Sequence, residues 1–374
     1  MITFGARAAA LAFFVLALMP TSQAAVRTGE KPVVEVAFVL DTTGSMGPLI
    51  EGAKRKIWSI ATTIIDENPG AEIRMGLVAY RDIGDEYVTK TFPLTTDIQD
   101  LYANLLELKA RGGGDWPESV NEALHVGVTK LSWTQGDEIF RILFLVGDAP
   151  PHMDYAQDTK YPEVLKIARE RGILVNAVQA GGARDTERVW REVAQMGNGR
   201  YLPIPQDGGH VVMIETPYDV EIIELQNEIN GTVIPYGPRH QRSSVEQKVK
   251  QAASAPAPVA AEMAGYMSRN AAKSAGEAIT GSGDLVADVK AGRQKLSTLK
   301  DEDAPEAMRG LSAEQRAAML DKQMEKRAAL NARMAALVKK RDGYVVEQAK
   351  KAPQRKSDSF DQAVADTLKA QMKR

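Results

Sequence analysis

Asp41-Thr42-Thr43-Gly44-Ser45 sets one carboxylate and two hydroxyls at alternate positions, directly after the apolar run Val33–Leu40. Oxygen donors at that spacing in a short loop converge on a point. A hard divalent cation such as Mg²⁺ takes oxygen ligands at ~2.0–2.1 Å and keeps some of its water. Two further pieces have the same character. Gly147-Asp148-Ala149-Pro150 follows the apolar run Ile142–Val146, and Gly112-Gly113-Gly114-Asp115 precedes a helical pattern that opens at Pro117. Acids gathered in this way call for a cation, since two like charges ~4 Å apart repel by about 4 kcal/mol at an effective dielectric of 20. Each piece also has an ordinary reading when taken singly. Asp, Thr and Ser are good helix caps, and Asp115 with Glu118 three residues on has the form of a capping pair.

The surrounding pattern supplies a frame for these loops. Val33–Leu40, Met75–Tyr80, Ile142–Val146 and Ile173–Val178 are continuous apolar runs of strand length, as expected for strands buried on both faces. Tyr87–Leu94 alternates and follows Gly84 closely, which predicts an antiparallel edge strand. Helical patterns occupy Leu49–Asp66, Asp97–Lys109, Pro117–Leu131, Tyr161–Arg171, Thr186–Met196 and Tyr218–Asn230. The last stops at Gly231, where a left-handed helix end is expected. Strands alternating with helices predict a doubly wound, mainly parallel, Rossmann-like α/β sheet with one antiparallel edge strand over residues 31–231. In such a sheet Asp41 and Asp148 both sit at the carboxyl edge, where the crevice between diverging connections is the default binding site.

The strand followed by D-x-T-x-S, the later glycine-rich loop and the Asp after another central strand resemble a von Willebrand factor type A domain in order and spacing. That resemblance covers residues 31–231 and nothing after them. It implies a metal-ion-dependent adhesion site that binds Mg²⁺ or Mn²⁺, with Asp41, Thr43 and Ser45 holding the ion through oxygen and Asp148 beside it. The family's middle loop usually adds a Thr. Gly114 stands at that position here, followed by Asp115, so either Asp115 or a water replaces the missing hydroxyl. The implied function is non-enzymatic protein binding, in which the incomplete metal shell accepts an Asp or Glu carboxylate from a protein partner. Trp116, beside the site, offers an aromatic face to that partner. His152 and Asp154 suggest a second metal site, but two residues do not make one, and like Asp82, Asp85 and Glu86 they read as solvated loop residues. The competing class is an exported metal-dependent hydrolase using the same Asp cluster, with His152 as its candidate general base.

The rest of the 374-residue chain bounds the setting. There is no cysteine, which excludes disulfides, thiol catalysis, Cys-based zinc sites and iron–sulfur clusters. Arg7, the apolar run Ala8–Met19, Pro20 and Ser22-Gln23-Ala24 predict a signal peptide over residues 1–24 and export to the periplasm or beyond. The run is short of the ~20 residues a membrane span needs, and no later stretch is long and apolar enough. A net charge of −2 hides a division: residues 1–231 hold 21 basic and 32 acidic side chains, net −11, and residues 232–374 hold 26 and 17, net +9. Residues 232–310 are expected to be a partly flexible linker with short helices, including the Pro/Ala stretch Ser254–Ala261 and the flexible Gly281 and Gly283. Residues 311–374 form a basic helical region. Within it Leu320, Met324, Leu330, Met334 and Leu337 mark an apolar stripe over Leu311–Tyr344, expected to meet another helix in an oligomer or coiled coil. The basic region lacks the interleaved aromatics of a nucleic-acid surface. Gly44–Lys54 lacks the spacing of a phosphate-binding loop, and the glycines at 112–114 follow a helix pattern, unlike a dinucleotide fingerprint.

Overall fold

In the computed structural model the run VVEVAFVL becomes the central strand β1 (Val33–Asp41), with every residue after Val33 buried. The structure describes residues 32–136, 138–209, 214–273, 280–351 and 359–373; the expected export signal at 1–24 lies outside them. Strands β2 (Glu72–Tyr80), β3 (Thr89–Thr95), β4 (Ile139–Gly147), β5 (Ile173–Ala180) and β6 (Asn198–Ile204) complete one sheet in the order β3-β2-β1-β4-β5-β6. Only β3 is antiparallel to its neighbour. The fold is therefore the doubly wound, mainly parallel sheet expected, with its one antiparallel strand at the edge. β6 was not anticipated. Its sequence NGRYLPI includes Gly and Pro and is exposed or half-exposed everywhere but Ile204, so it lacks the apolar signature of the other parallel strands.

Helices α1 (Gly47–Glu67), α2 (Ile98–Glu107), α3 (Val120–Thr129), α4 (Tyr161–Glu170), α5 (Arg184–Met196) and α6 (Asp219–Asn230) follow the predicted order. β1 pairs with β2 on one side and β4 on the other, so the chain direction across the sheet reverses there. That switch point opens a crevice at the carboxyl ends of β1 and β4. α3 begins at Val120 with Ser119 as its N-cap residue, too late for the Asp115–Glu118 capping reading. Gly231 ends α6 in right-handed geometry, φ −66°, so the left-handed end expected there does not form.

The C-terminal half departs most from expectation. Ser254–Ala261, expected as a linker, is the junction of α7 (Arg239–Ser254) and α8 (Ala257–Lys273). Gly281 and Gly283 take positive φ in a turn leading to α9 (Leu285–Lys290). A long helix α10 (Ala313–Lys351) and a final helix α11 (Phe360–Gln371) follow. Val259, Met263, Tyr266 and Met267 of α8, and Phe360, Val364 and Leu368 of α11, belong to the same hydrophobic core as the sheet. Phe360 lies against Phe38 of β1 at 6.2 Å, and Gln371 exchanges side-chain hydrogen bonds of 3.1 and 2.8 Å with buried Asn176 on β5. Structurally, the core does not end at residue 231.

The α10 stripe is buried too. Leu330, Met334 and Leu337 pack with Ile222, Leu225 and Ile229 of α6 and with Ala261 and Ala264 of α8. The face expected to meet another chain is occupied within this one. Arg327 interrupts the stripe because it is itself buried, donating to Thr232 Oγ1 at 2.6 Å and the Thr232 carbonyl at 2.7 Å and pairing with buried Asp284. Among the described residues no helix is long and apolar enough to cross a membrane.

A buried ion pair is costly to break from one side only, because the remaining charge is stranded. Arg327→Ala is therefore expected to destabilise the protein by about 3–5 kcal/mol. The paired change Arg327→Met with Asp284→Leu should recover most of that loss. Urea denaturation midpoints of the three proteins check both.

Candidate metal centre

Asp41 ends β1 with no solvent exposure. Its Oδ1 accepts hydrogen bonds from the Thr43 backbone N–H at 2.8 Å and from Thr43 Oγ1 at 2.7 Å. The loop is thus folded back on its own carboxylate, and Thr43 Oγ1 stands 3.4 Å from Ser45 Oγ. Ser45 itself is exposed, so the cluster runs from a buried acid to an open hydroxyl. Asp41 Oδ2 accepts no hydrogen bond among the described residues. Gly147 makes room beside it: a Cβ there would meet Tyr80 Oη at 2.4 Å and Asp41 Oδ2 at 3.3 Å. Burial, with the charges of Asp148 and Asp85 and against the Thr43 hydrogen bonds, pushes Asp41 up to about 7. Tyr80 is held well above its ordinary range, first by burial and then by the Asp41 charge.

Asp148 follows β4 directly and is buried. Gln206 Nε2 donates to its Oδ2 at 2.6 Å, and Thr186 Oγ1 donates to its carbonyl at 3.0 Å. The side chain is thereby oriented by Gln206, beyond β6, and the backbone is held by Thr186, beyond β5. The glycine loop reaches the β1 loop through backbone contacts, Gly44 N–H to the Gly112 carbonyl at 3.2 Å and Arg111 N–H to the Thr42 carbonyl at 3.0 Å. Gly112 and Gly113 take φ of +78° and +77°. Asp85 binds the Gly113 N–H at 2.9 Å and occupies the space a Gly112 side chain would need. This acid pins the glycine loop, in place of the solvated role expected for it.

Glu118 is the residue the sequence reasoning missed. It is 4% exposed, and its Oε2 has no hydrogen-bond partner among the described residues. A Cβ on Gly113 would touch both Glu118 Oε1 at 3.0 Å and Thr43 Cβ at 3.3 Å, which places the glutamate beside the Asp41 loop. Burial and then the charges of Asp41, Asp82, Asp85 and Asp148 push it up to about 9. The available signal was its place at the entry to α3, after the glycine loop; the capping reading obscured it. Asp115 goes elsewhere. Its Oδ2 lies 3.5 Å from His152 Nε2, which is also 3.5 Å from Asp82 Oδ2. Asp82, Asp115 and His152 thus form a cluster whose ligand atoms all lie within 4.8 Å of one another. Asp82 and His152 are buried, not solvated. Burial opposes charge on His152, but the Asp154 hydrogen bond and the Asp82 and Asp115 carboxylates outweigh it and raise the ring's pKa. Trp116 is 47% exposed, with its ring N–H donating to Asp185 Oδ2 at 2.6 Å.

The donor set fits a divalent cation at the β1 loop. Orphaned oxygens on two buried carboxylates, with hydroxyls above them, match the chemistry of a hard ion.

Fold and loops together define an α/β sheet domain with an oxygen-donor cluster at its switch point. Residues 35–215 match the family model of the von Willebrand factor A domain, and the chain carries a domain of that family. Such domains are in general protein-interaction modules. The chain is similar to a putative ariadne-like RING finger protein of Acanthamoeba polyphaga mimivirus, 32% identical over 57% of this chain and 23% of that protein. It is also similar to von Willebrand factor A domain-containing protein 7 of Rattus norvegicus, 35% identical over 26% of this chain and 10% of that protein. The chain therefore spans less than a quarter of the length of either. A solved structure of BatB, a conserved hypothetical protein from Bacteroides thetaiotaomicron, aligns with 46% of this chain and 89% of its own at 21% identity and a TM-score of 0.35.

The raised carboxyl groups set a sign for pH dependence. Their folded-state pKa lies above the unfolded value, so the stability they confer is complete below the ordinary carboxylate range and is lost as pH rises. Metal-free protein is expected to lose stability as pH climbs from about 4 through 7, where Asp41 ionises, and again toward 9 with Glu118. Asp41→Asn keeps an Oδ1 for the Thr43 bonds and should flatten the first part of that loss. Thermal unfolding in EDTA across the pH range, for both proteins, provides the measurement.

Proposed function

We propose that this chain is an exported, non-enzymatic protein-binding module that recognises an Asp or Glu carboxylate of a protein partner through Mg²⁺ or Mn²⁺. Asp41, Thr43, Ser45 and Asp148 would hold the ion. The observation that carries this reading is Asp41 itself: a fully buried carboxylate with one oxygen fixed by Thr43 and the other unpartnered, beneath an exposed hydroxyl. The bound cation supplies an open coordination position for a partner's oxygen. Around it, Thr43 fixes the loop, Gln206 orients Asp148, and Gly112 and Gly113 let the middle loop come close. Glu118 replaces Asp115 as the middle-loop donor in this proposal, because its carboxyl group is buried, keeps an unpartnered oxygen and adjoins Gly113, as Thr43 does. Trp116, braced by Asp185, presents its ring at the rim to the partner. Export rests on Arg7, the apolar run after it and Ser22-Gln23-Ala24. For the hydrolase alternative, the one candidate base is His152, and that ring is turned onto Asp82, Asp115 and Asp154.

Because the donors come from distant segments, the folded chain binds the ion and the unfolded chain does not. Mg²⁺ at 100 times Kd should then add about 2.7 kcal/mol of stability, read as a rise in melting temperature over EDTA that is absent in Asp41→Ala. An unmoved wild-type melting temperature across the Mg²⁺ series would count against the site. Calorimetric titration divides the middle-loop roles: Glu118→Gln is expected to weaken Mg²⁺ binding, and Asp115→Asn to leave it unchanged. Partner capture should depend on Mg²⁺ and be lost when the partner's acidic contact residue is replaced by its amide.

A further inference from the structure

We propose that Asp82, Asp115 and His152 form a second metal site, separate from the Asp41 loop and built for Zn²⁺ with one coordination position open. The three residues come from the loop after β2, the glycine loop and the loop after β4. His152 is 6% exposed, and its Nε2 makes no hydrogen bond among the described residues although it points between two carboxylates. That spacing is informative. An imidazolium paired with a carboxylate closes to about 2.7–2.9 Å, whereas Nε2 stands 3.5 Å from Asp82 Oδ2 and 3.5 Å from Asp115 Oδ2. Ligands around a tetrahedral ion with bonds of about 2.0–2.2 Å are spaced about 3.3–3.6 Å apart. The separations are too long for ion-pair hydrogen bonds and match two edges of such a tetrahedron.

The surroundings fix these ligands as a metal site requires. His152 Nδ1 lies 2.8 Å from Asp154 Oδ1. With its proton on Nδ1, the ring directs the Nε2 lone pair at Asp82 and Asp115, the carboxylate–histidine–metal arrangement. The ring also stacks on Tyr155, with centroids 4.0 Å apart and planes 8° from parallel. Asp82 is held by Ser119 Oγ at 2.7 Å and by the Tyr155 hydroxyl at 2.9 Å. Backbone contacts tie His152 down, its N–H to the Glu118 carbonyl at 3.1 Å and its carbonyl to Asn121 Nδ2 at 2.7 Å. Asp115 closes the cluster from outside with a side chain 62% exposed, leaving a side open to water. One imidazole with two carboxylates favours Zn²⁺ over Mg²⁺, whereas the Asp41 loop is all oxygen. An ion here would tether the glycine loop, and hence Gly113, against the loops on either side of the first cluster.

The difference in donors separates the two sites experimentally. Metal-free full-length protein, purified without a histidine tag and saturated with Mg²⁺, is titrated with Co²⁺ as a visible probe and with Zn²⁺ by calorimetry. One equivalent of Co²⁺ is expected to develop d–d absorption and to be displaced by Zn²⁺. The signal should persist in Asp41→Ala and be lost in His152→Gln. Asp154→Ala should weaken Zn²⁺ by about 10–100-fold. Histidine-ring NMR of the unmutated protein makes the test independent of how the variants fold. One equivalent of Zn²⁺ should shift the Nε2 resonance of one of the four histidines, leaving its Nδ1 protonated. No ring resonance moving, or Co²⁺ absorption that survives in folded His152→Gln, overturns the site. Loss of Mg²⁺ binding in Asp41→Ala with Co²⁺ binding intact shows that the two sites stand or fall separately.

Discussion

The structure gathers acids at one edge of its sheet, and their mutual repulsion governs everything built there. Asp41, Asp82, Asp85, Glu118 and Asp148 lie close enough for their charges to act on one another. Such repulsion runs to kilocalories per pair when the groups leave bulk water. Arg81, buried at the same edge, is committed to Glu86 at 3.3 Å, the Lys109 carbonyl and the Tyr87 ring. His152 lies against Asp82; at Asp41 and Glu118 the charge is relieved by protonation or by a bound cation. Burial raises Asp41 and Glu118 toward the protonated form, and each keeps one oxygen with no hydrogen-bond partner among the described residues.

That edge can be so strained only because the sheet beneath it is secure. The parallel strands β1, β4 and β5 are buried almost end to end, and helices from the C-terminal half complete the core. The charge division between the halves also finds a physical outlet. Lys248 pairs with Asp97 and, at 3.0 Å, with Asp100, while Arg269 reaches Asp66 at 3.2 Å and Arg341 reaches Asp219 at 2.9 Å. Lys56 on α1 makes the reverse contact, to Glu262 at 3.2 Å. The pairs with half-exposed Asp100 and Asp66 add little individually, whereas Lys56, Lys248 and Asp219 are buried and need their partners. The apolar contacts of α8, α10 and α11 do more of the holding, and the ions set which faces meet.

The central sheet was legible because continuous apolar runs of strand length admit few other readings in a chain that alternates them with helices. β6 was not, since a half-exposed edge strand containing Gly and Pro carries no such pattern. Asp41, Thr43 and Ser45 were legible as a group because their spacing is local. Glu118, and the burial and partners of His152, were hidden for the opposite reason: their neighbours come from other loops, and the register that joins those loops exists only in the sheet. The same holds for α8 and α11, whose apolar faces look modest in sequence and acquire meaning only against α1.

Glu118 changes the electrostatics of the proposed ion more than its position suggests. By the family resemblance a neutral Thr stands at the middle loop, so two carboxylates face a doubly positive ion. An ionised Glu118 beside Asp41 and Asp148 would bring three negative charges instead. Such a shell holds the cation more firmly and leaves less residual field for a partner's carboxylate. Burial pulls the other way, because raising Glu118 to about 9 favours the neutral acid, whose carbonyl oxygen can still face a cation much as a hydroxyl does. In the proposed site, the depth at which the glutamate is buried, set by Gly113 and the entry to α3, would therefore tune the balance between holding the ion and attracting the partner.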